Sequence, residues 1–208
     1  MTPIYHITHI QNLSTIINDG GLHCDKVIAA NKLNVRGIAH KHIKERRDRR
    51  KVPVCVGGTL SDYVPFYFAP RSPMLFAIHK GNVEGYTGGQ GEVLHLVSNA
   101  EAVAKASGLP FCFTEGHAEM GFSDFFESLN DLEKVDWKIM GEQYWSDTVD
   151  DMDRKRRRQA EFLVHQFFPW DMVTHIGVIS SQMADVTKKA IAACQHQPAI
   201  IVARQWYY

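Results

Sequence analysis

Apolar and polar residues alternate over Ile4-Tyr5-His6-Ile7-Thr8-His9, a run rich in strand formers, and predict a first β-strand. Leu13, Ile16 and Ile17 recur at helical spacing between Asn12 and Asp19, and Gly20-Gly21 suits the left-handed cap that ends such a helix. A strongly basic helix is expected over 37–50, stopped by Pro53. Val64 to Phe68 reads as a strand that Pro65 restricts to an edge or a start. Ser72 followed by Pro73 reads as the cap and first position of a helix. Glu92 to Val97 and Phe111 to Thr114 predict strands, with a helix over 100–106 between them capped by Ser98 or Asn99. Ser123 reads as the cap of a helix reaching about Glu133, with Phe125, Phe126, Leu129 and Leu132 inward. Residues 134–153 have weak periodicity and many acids, and predict a long, partly helical excursion that packs Trp137, Tyr144 and Trp145. Glu161 to Val164 and Val173 to Ile179 predict strands, 182–194 a helix and 199–204 a closing strand. No internal repeat or low-complexity linker interrupts the chain, so one α+β domain over residues 1–208 is the simplest account.

Composition narrows the class. Apolar residues make up 45% and charged residues 22% of 208, enough for a real core and too little charge for extended disorder. No run approaches the ~18 apolar residues of a membrane span. The N-terminus lacks a basic stretch followed by an apolar one, so no signal peptide is expected. Cys24, Cys55, Cys112 and Cys194 are far apart and form no Cys-x-x-Cys pair, which reads as free thiols in a reducing cytoplasm. Neither His40 and His42 nor His6 and His9 have thiolate or carboxylate partners at ligand spacing, so no metal is expected. The net charge is zero, but its distribution is uneven. Lys44 to Lys51 and Arg154 to Arg158 are basic, and the intervening stretch from Asp131 to Asp153 is acidic. Such segregation gives either a positive face for nucleic acid or two solvated charged surfaces.

Four places carry candidate chemistry. Gln159-Ala160-Glu161 follows the basic block and enters a short apolar strand. A carboxylate there is held ionised by the arginines, as a functional group or as part of a surface ion network. The period of two puts His6 and Thr8 on one face of the first strand, where His6 is a site residue or a hydrogen-bonded interior histidine. Tyr67-Phe68-Ala69-Pro70-Arg71-Ser72 joins a strand to a helix start, where aromatics can floor a flat ring and the helix N-terminus can face phosphate; plain packing accounts for Phe66 and Phe68. Thr114-Glu115-Gly116-His117-Ala118 is a polar, turn-prone patch straight after a strand.

In order along the chain, Tyr5-His6-Ile7-Thr8-His9, the Tyr63 to Leu75 segment, Thr114 to Ala118 and Arg157-Arg158-Gln159-Ala160-Glu161-Phe162-Leu163-Val164 together resemble the DarT toxins, the DNA ADP-ribosyltransferases of DarTG toxin–antitoxin systems. The resemblance spans nearly the whole chain; residues 134–153 carry no matching motif. It implies a poly(ADP-ribose)-polymerase-like ADP-ribosyltransferase fold, a split, mainly antiparallel sheet with surrounding helices and NAD⁺ in the cleft. On that resemblance Glu161 is the catalytic glutamate, and His6, Thr8, Tyr67, Arg71 and Ser72 form the candidate NAD⁺-binding set. One of Arg46, Arg47 and Arg50 is the functional arginine, its register left open, and Glu161 or His117 takes the acceptor's proton. The implied acceptor is a base, thymine, in single-stranded DNA, with Arg154, Arg156 and Arg157 tracking phosphates. A DarG-type antitoxin is the implied partner. The rival readings are transfer to another base, RNA or protein, and a non-catalytic nucleic-acid-binding module.

Overall fold

The computed structural model describes residues 1–208. Ten strands follow one another as β1 (Pro3–His9), β2 (Gly21–His23), β3 (Tyr63–Tyr67), β4 (Val93–Asn99), β5 (Phe111–His117), β6 (Phe125–Phe126), β7 (Ala160–His165), β8 (Phe167–Pro169), β9 (His175–Val178) and β10 (Ala199–Val202). The helices are α1 (Leu13–Asn18), α2 (Asp25–Ala30), α3 (Lys41–Arg49), α4 (Pro73–His79), α5 (Ala100–Lys105), α6 (Trp137–Gly141), α7 (Arg154–Arg157) and α8 (Ser181–Ile191).

Eight strands make one sheet in the order β10-β9-β4-β1-β3-β7-β5-β6, antiparallel throughout except for the β10–β9 pair. Its centre is weak by design of the register. β1 pairs with β4 along its whole length, yet meets β3 at a single position, Tyr5 opposite Tyr67. The sheet therefore splays between β1 and β3 into two halves. The small β2–β8 ladder sits beside that split. Phe66, Phe113 and Phe162 are fully buried in the main core, each contributing roughly 1.5–3 kcal/mol by leaving water.

Local signals placed several ends correctly. Gly20 has φ of +74°, the left-handed conformation that closes α1. Ser72 Oγ accepts the Leu75 N–H at 3.1 Å, with Pro73 opening α4. Of the two candidate caps for α5 the structure uses Asn99, whose Oδ1 accepts the Ala102 N–H at 2.7 Å. Other expectations fail. The helix expected from Ser123 is absent: Phe125 and Phe126 pair with Thr114 and Phe113 as an edge strand, and a 3-10 helix follows at Leu129–Lys134. A short apolar run suits both periods, and the exposed β5 edge takes it. The basic helix is shorter than expected, leaving 37–40 as irregular chain. Trp145 is buried, whereas Trp137 is exposed with only an edge-on contact to Phe68, and Tyr144 is exposed rather than packed. No helix is long and apolar enough to cross a membrane.

Two outcomes are expected from this packing. A Cβ on Gly21 would overlap the Phe168 carbonyl oxygen across the β2–β8 ladder, so Gly21→Ala loses about 1–3 kcal/mol in urea denaturation. His95 is fully buried, its Nε2–H donating to the Pro70 carbonyl at 3.0 Å, and burial pulls its pKa down to about 4. The folded state then binds fewer protons than the unfolded one. This contribution, roughly 3 kcal/mol, is complete above pH 6.5 and is lost as pH falls from there to about 4. In His95→Gln that segment of the stability-versus-pH curve flattens.

Candidate active site

The splay between β1 and β3 opens a cleft lined from both halves of the sheet. β1 supplies His6 and Thr8, β3 supplies Tyr67, the end of β5 supplies His117, β7 supplies Glu161 and α3 supplies Arg47. An apolar wall comes from Ile28 of α2 and from Leu33, Val35 and Ile38 of the segment before α3.

Glu161 is only 2% exposed. Its Oε2 lies 2.7 Å from Arg47 Nη1, and its backbone N–H donates to Thr114 Oγ1 at 3.1 Å. Burial works against the charge of Arg47, and the Glu161 carboxylate outweighs it, holding the guanidinium above its ordinary range. Arg47 Nη2 is buried without a partner, a spare donor beside the carboxylate. Tyr67 faces Glu161 in the β3–β7 register; burial and then the Glu161 charge push its phenol up, so it stays a neutral hydroxyl. The register of β5 against β7 shifts between Phe113 and His117, the kind of irregularity that re-aims a side chain, and His117 lines the cleft. Burial lowers its pKa against the pull of Glu161 and Glu119.

His6 spans the split. Its Nδ1–H donates to the Pro65 carbonyl of β3 at 2.8 Å, which leaves Nε2 as an acceptor in the neutral ring. Burial lowers its pKa, so the neutral form is the one present. Thr8 accepts from Asn12 Nδ2 at 3.0 Å, and Asn12 also grips the backbone of Arg36, donating to its carbonyl and accepting its N–H. Asn12 thereby ties the apolar wall to β1. Sequence reading saw it only as a helix start, and nothing local distinguishes it from an ordinary cap.

The structure sorts the other candidates. Of the three arginines, Arg47 alone reaches Glu161; Arg46 pairs with Glu119 at 2.9 Å, and Arg50 donates to the carbonyls of Ala118, Met120 and Gly121. Ser72 serves as the α4 cap, and Arg71 lies 4.3 Å over the Tyr208 ring beside a second cavity that Arg158 and Arg204 also line; neither Ser72 nor Arg71 lines the cleft. Arg154, Arg156 and Arg157 form no positive face. The acidic excursion folds back on them: Arg154 bonds Glu142, Arg157 bonds Asp136 and Asp151, and Arg156 bonds Asp153 at 2.7 Å; Arg156 also bonds Glu115 of β5 at 2.7 Å. Unpaired arginines and acids brought into partial burial are costly apart, so neighbouring opposite runs neutralise each other. No group of His, Cys, Asp or Glu is placed to hold a metal ion.

A split sheet whose seam holds a histidine on one half and a buried glutamate on the other defines the ADP-ribosyltransferase class. The model of the family "ssDNA thymidine ADP-ribosyltransferase, DarT" matches residues 5–208. The chain belongs to the DarT family. It is 46% identical to the DNA ADP-ribosyl transferase of Thermus sp. (strain 2.9) over 211 residues, covering 100% of this chain and 96% of that one. Two solved structures of Thermus sp. 2.9 DarT superpose over the full chain. The complex with ADP-ribosylated ssDNA has a TM-score of 0.92 at 43% identity and 96% of that chain, and the complex with NAD⁺ has 0.88 at 41% and 98%.

Removing Arg47 leaves a carboxylate buried without its partner. Arg47→Ala is expected to lose about 3–5 kcal/mol of stability, and Arg47→Lys clearly less, measured by urea denaturation at pH 7.

Proposed function

We propose that this chain transfers ADP-ribose from NAD⁺ to thymine in single-stranded DNA and releases nicotinamide, with Glu161 stabilising the transition state. The buried Arg47–Glu161 pair in the cleft between the two halves of the sheet carries this reading. NAD⁺ is a co-substrate here.

Breaking the bond between nicotinamide and C1′ sends the bonding electrons to the departing ring and leaves positive charge on C1′ and the ribose ring oxygen, as in glycoside cleavage. A fixed carboxylate beside that charge strengthens its interaction as the charge develops, and so lowers the barrier rather than only tightening binding. Arg47 bonds Glu161 Oε2 and limits its freedom to turn away. Neutral His6 accepts a hydrogen bond from a ribose hydroxyl through Nε2. Tyr67, as a neutral ring and hydroxyl, lies beside the departing group.

The base nitrogen of thymine must lose its proton as it bonds to C1′. Glu161 already spends Oε2 on the Arg47 guanidinium. His117 is kept neutral by burial and lines the same cleft, so it accepts that proton. The spare Arg47 Nη2–H stabilises the developing anion on the base. Because that nitrogen is paired in duplex DNA, the strand must be single or locally extruded.

The chain acts as one unit, as the toxin of a pair whose partner is a DarG-type antitoxin, and works in the cytoplasm. The family membership supports the partner, and four free cysteines suit a reducing compartment.

Mass spectrometry of short oligonucleotides after incubation with NAD⁺ tests the reading. Single-stranded thymine-containing DNA is expected to gain one ADP-ribose, and duplex DNA, RNA and thymine-free strands none. Glu161→Gln should lower the rate by ~10²–10³-fold or more while staying folded. Equal modification of duplex, or near-normal transfer by Glu161→Gln, overturns it.

A further inference from the structure

His117 closes β5 at the cleft wall, and the chain then turns through 118–122 before β6. Phe122 at the tip of that turn is 65% exposed, the only exposed one of the chain's eleven phenylalanines. Its backbone is nevertheless braced from both sides. Arg50 donates to the carbonyls of Ala118, Met120 and Gly121 at 3.2, 3.2 and 3.5 Å. Ser123 Oγ donates to the His117 carbonyl at 2.8 Å, and Arg156 Nη1 reaches Ser123 Oγ at 3.2 Å. Arg156 passes so close to Gly116 that a Cβ there would strike the guanidinium. The same guanidinium lies 5.2 Å from the centre of the Phe122 ring. With Asp153 and Glu115 already bonded to it, Arg156 is occupied as a brace and not free for phosphate.

One face of the ring is thus backed by a fixed cation, and the ring is held out to solvent on a turn that starts at the catalytic cleft. The entropy of ordering it is already spent before any ligand arrives. A flat, preordered aromatic surface suits a flat, unpaired ring. We propose that Phe122 is a stacking platform for an unpaired base of the DNA strand flanking the acceptor thymine. This subsite rests on the transfer to single-stranded DNA proposed above. Stacking needs no particular base, because every base has a π-face, so the platform sets the strand's path more than its sequence.

The test is steady-state transfer by the full chain with Phe122→Ala and Phe122→Trp. Loss of one base–aromatic stack is worth roughly 5- to 140-fold in binding. Phe122→Ala is expected to raise the oligonucleotide KM by about tenfold, leaving kcat and the NAD⁺ KM unchanged, and Phe122→Trp to restore it. In the wild type, an abasic site at one flanking position should reproduce the defect, and that abasic site should add nothing further in Phe122→Ala. An oligonucleotide KM within about twofold of wild type in Phe122→Ala, or abasic effects that add independently of the substitution, overturns the subsite. So does a Phe122→Ala variant that binds DNA normally but loses affinity for a protein partner. Anisotropy of a labelled oligonucleotide reads the same loss without turnover. If the wild type binds strands through Phe122 yet transfers nothing, the platform stands and the transfer reading fails; normal transfer with no effect of Phe122→Ala is the reverse.

Discussion

A carboxylate that has lost its water must be compensated, and in this protein the compensation is a single guanidinium from a different part of the chain. Glu161 sits on β7 and Arg47 on the last turn of α3, both buried, 2.7 Å apart. Leaving either charge there without the other is costly. The pair therefore does two jobs. It fastens α3 and the apolar wall before it onto the sheet, and it holds a carboxylate inside the cleft. The rest of the site is arranged around it: Thr114 takes the Glu161 N–H, the β5 irregularity brings in His117, and Tyr67 stands opposite in register.

The cleft itself follows from an incomplete ladder. β1 spends its hydrogen bonds on β4 and meets β3 at one residue pair, so the two halves of the sheet part where a continuous sheet would have stayed closed. His6 then bridges the opening through the Pro65 carbonyl. Pro65 lacks an N–H for the ladder, which suits a strand beside such an opening.

Charge along the chain and charge in space diverge. The run Arg154 to Arg158 reads as a phosphate-binding stripe, yet the acids of 131–153 return to pair with it. Arg158 is buried against the carbonyls of Arg71, Ile139, Met140 and Glu142 instead of facing solvent. The basic block thus pins the excursion to the sheet and braces the turn that carries Phe122.

Features that depend on a few neighbouring residues were legible from the chain alone. The strand alternation around His6, the Gly20 stop, the Ser72-Pro73 helix start and the Gln-x-Glu strand entrance all rest on local torsion preferences and local hydrogen bonds, which travel with the sequence. The short β2, β6 and β8 strands did not announce themselves, since two or three residues carry no period and pair only because another edge is waiting. Nor could the string say which of Arg46, Arg47 and Arg50 meets the glutamate. A helix turns about 100° per residue, and which of its faces points inward is decided by what packs against it. Residue types and local elements were set by the sequence; the partner of each charge was set by folding, because Coulombic pairing depends on distance in space and not on separation along the chain.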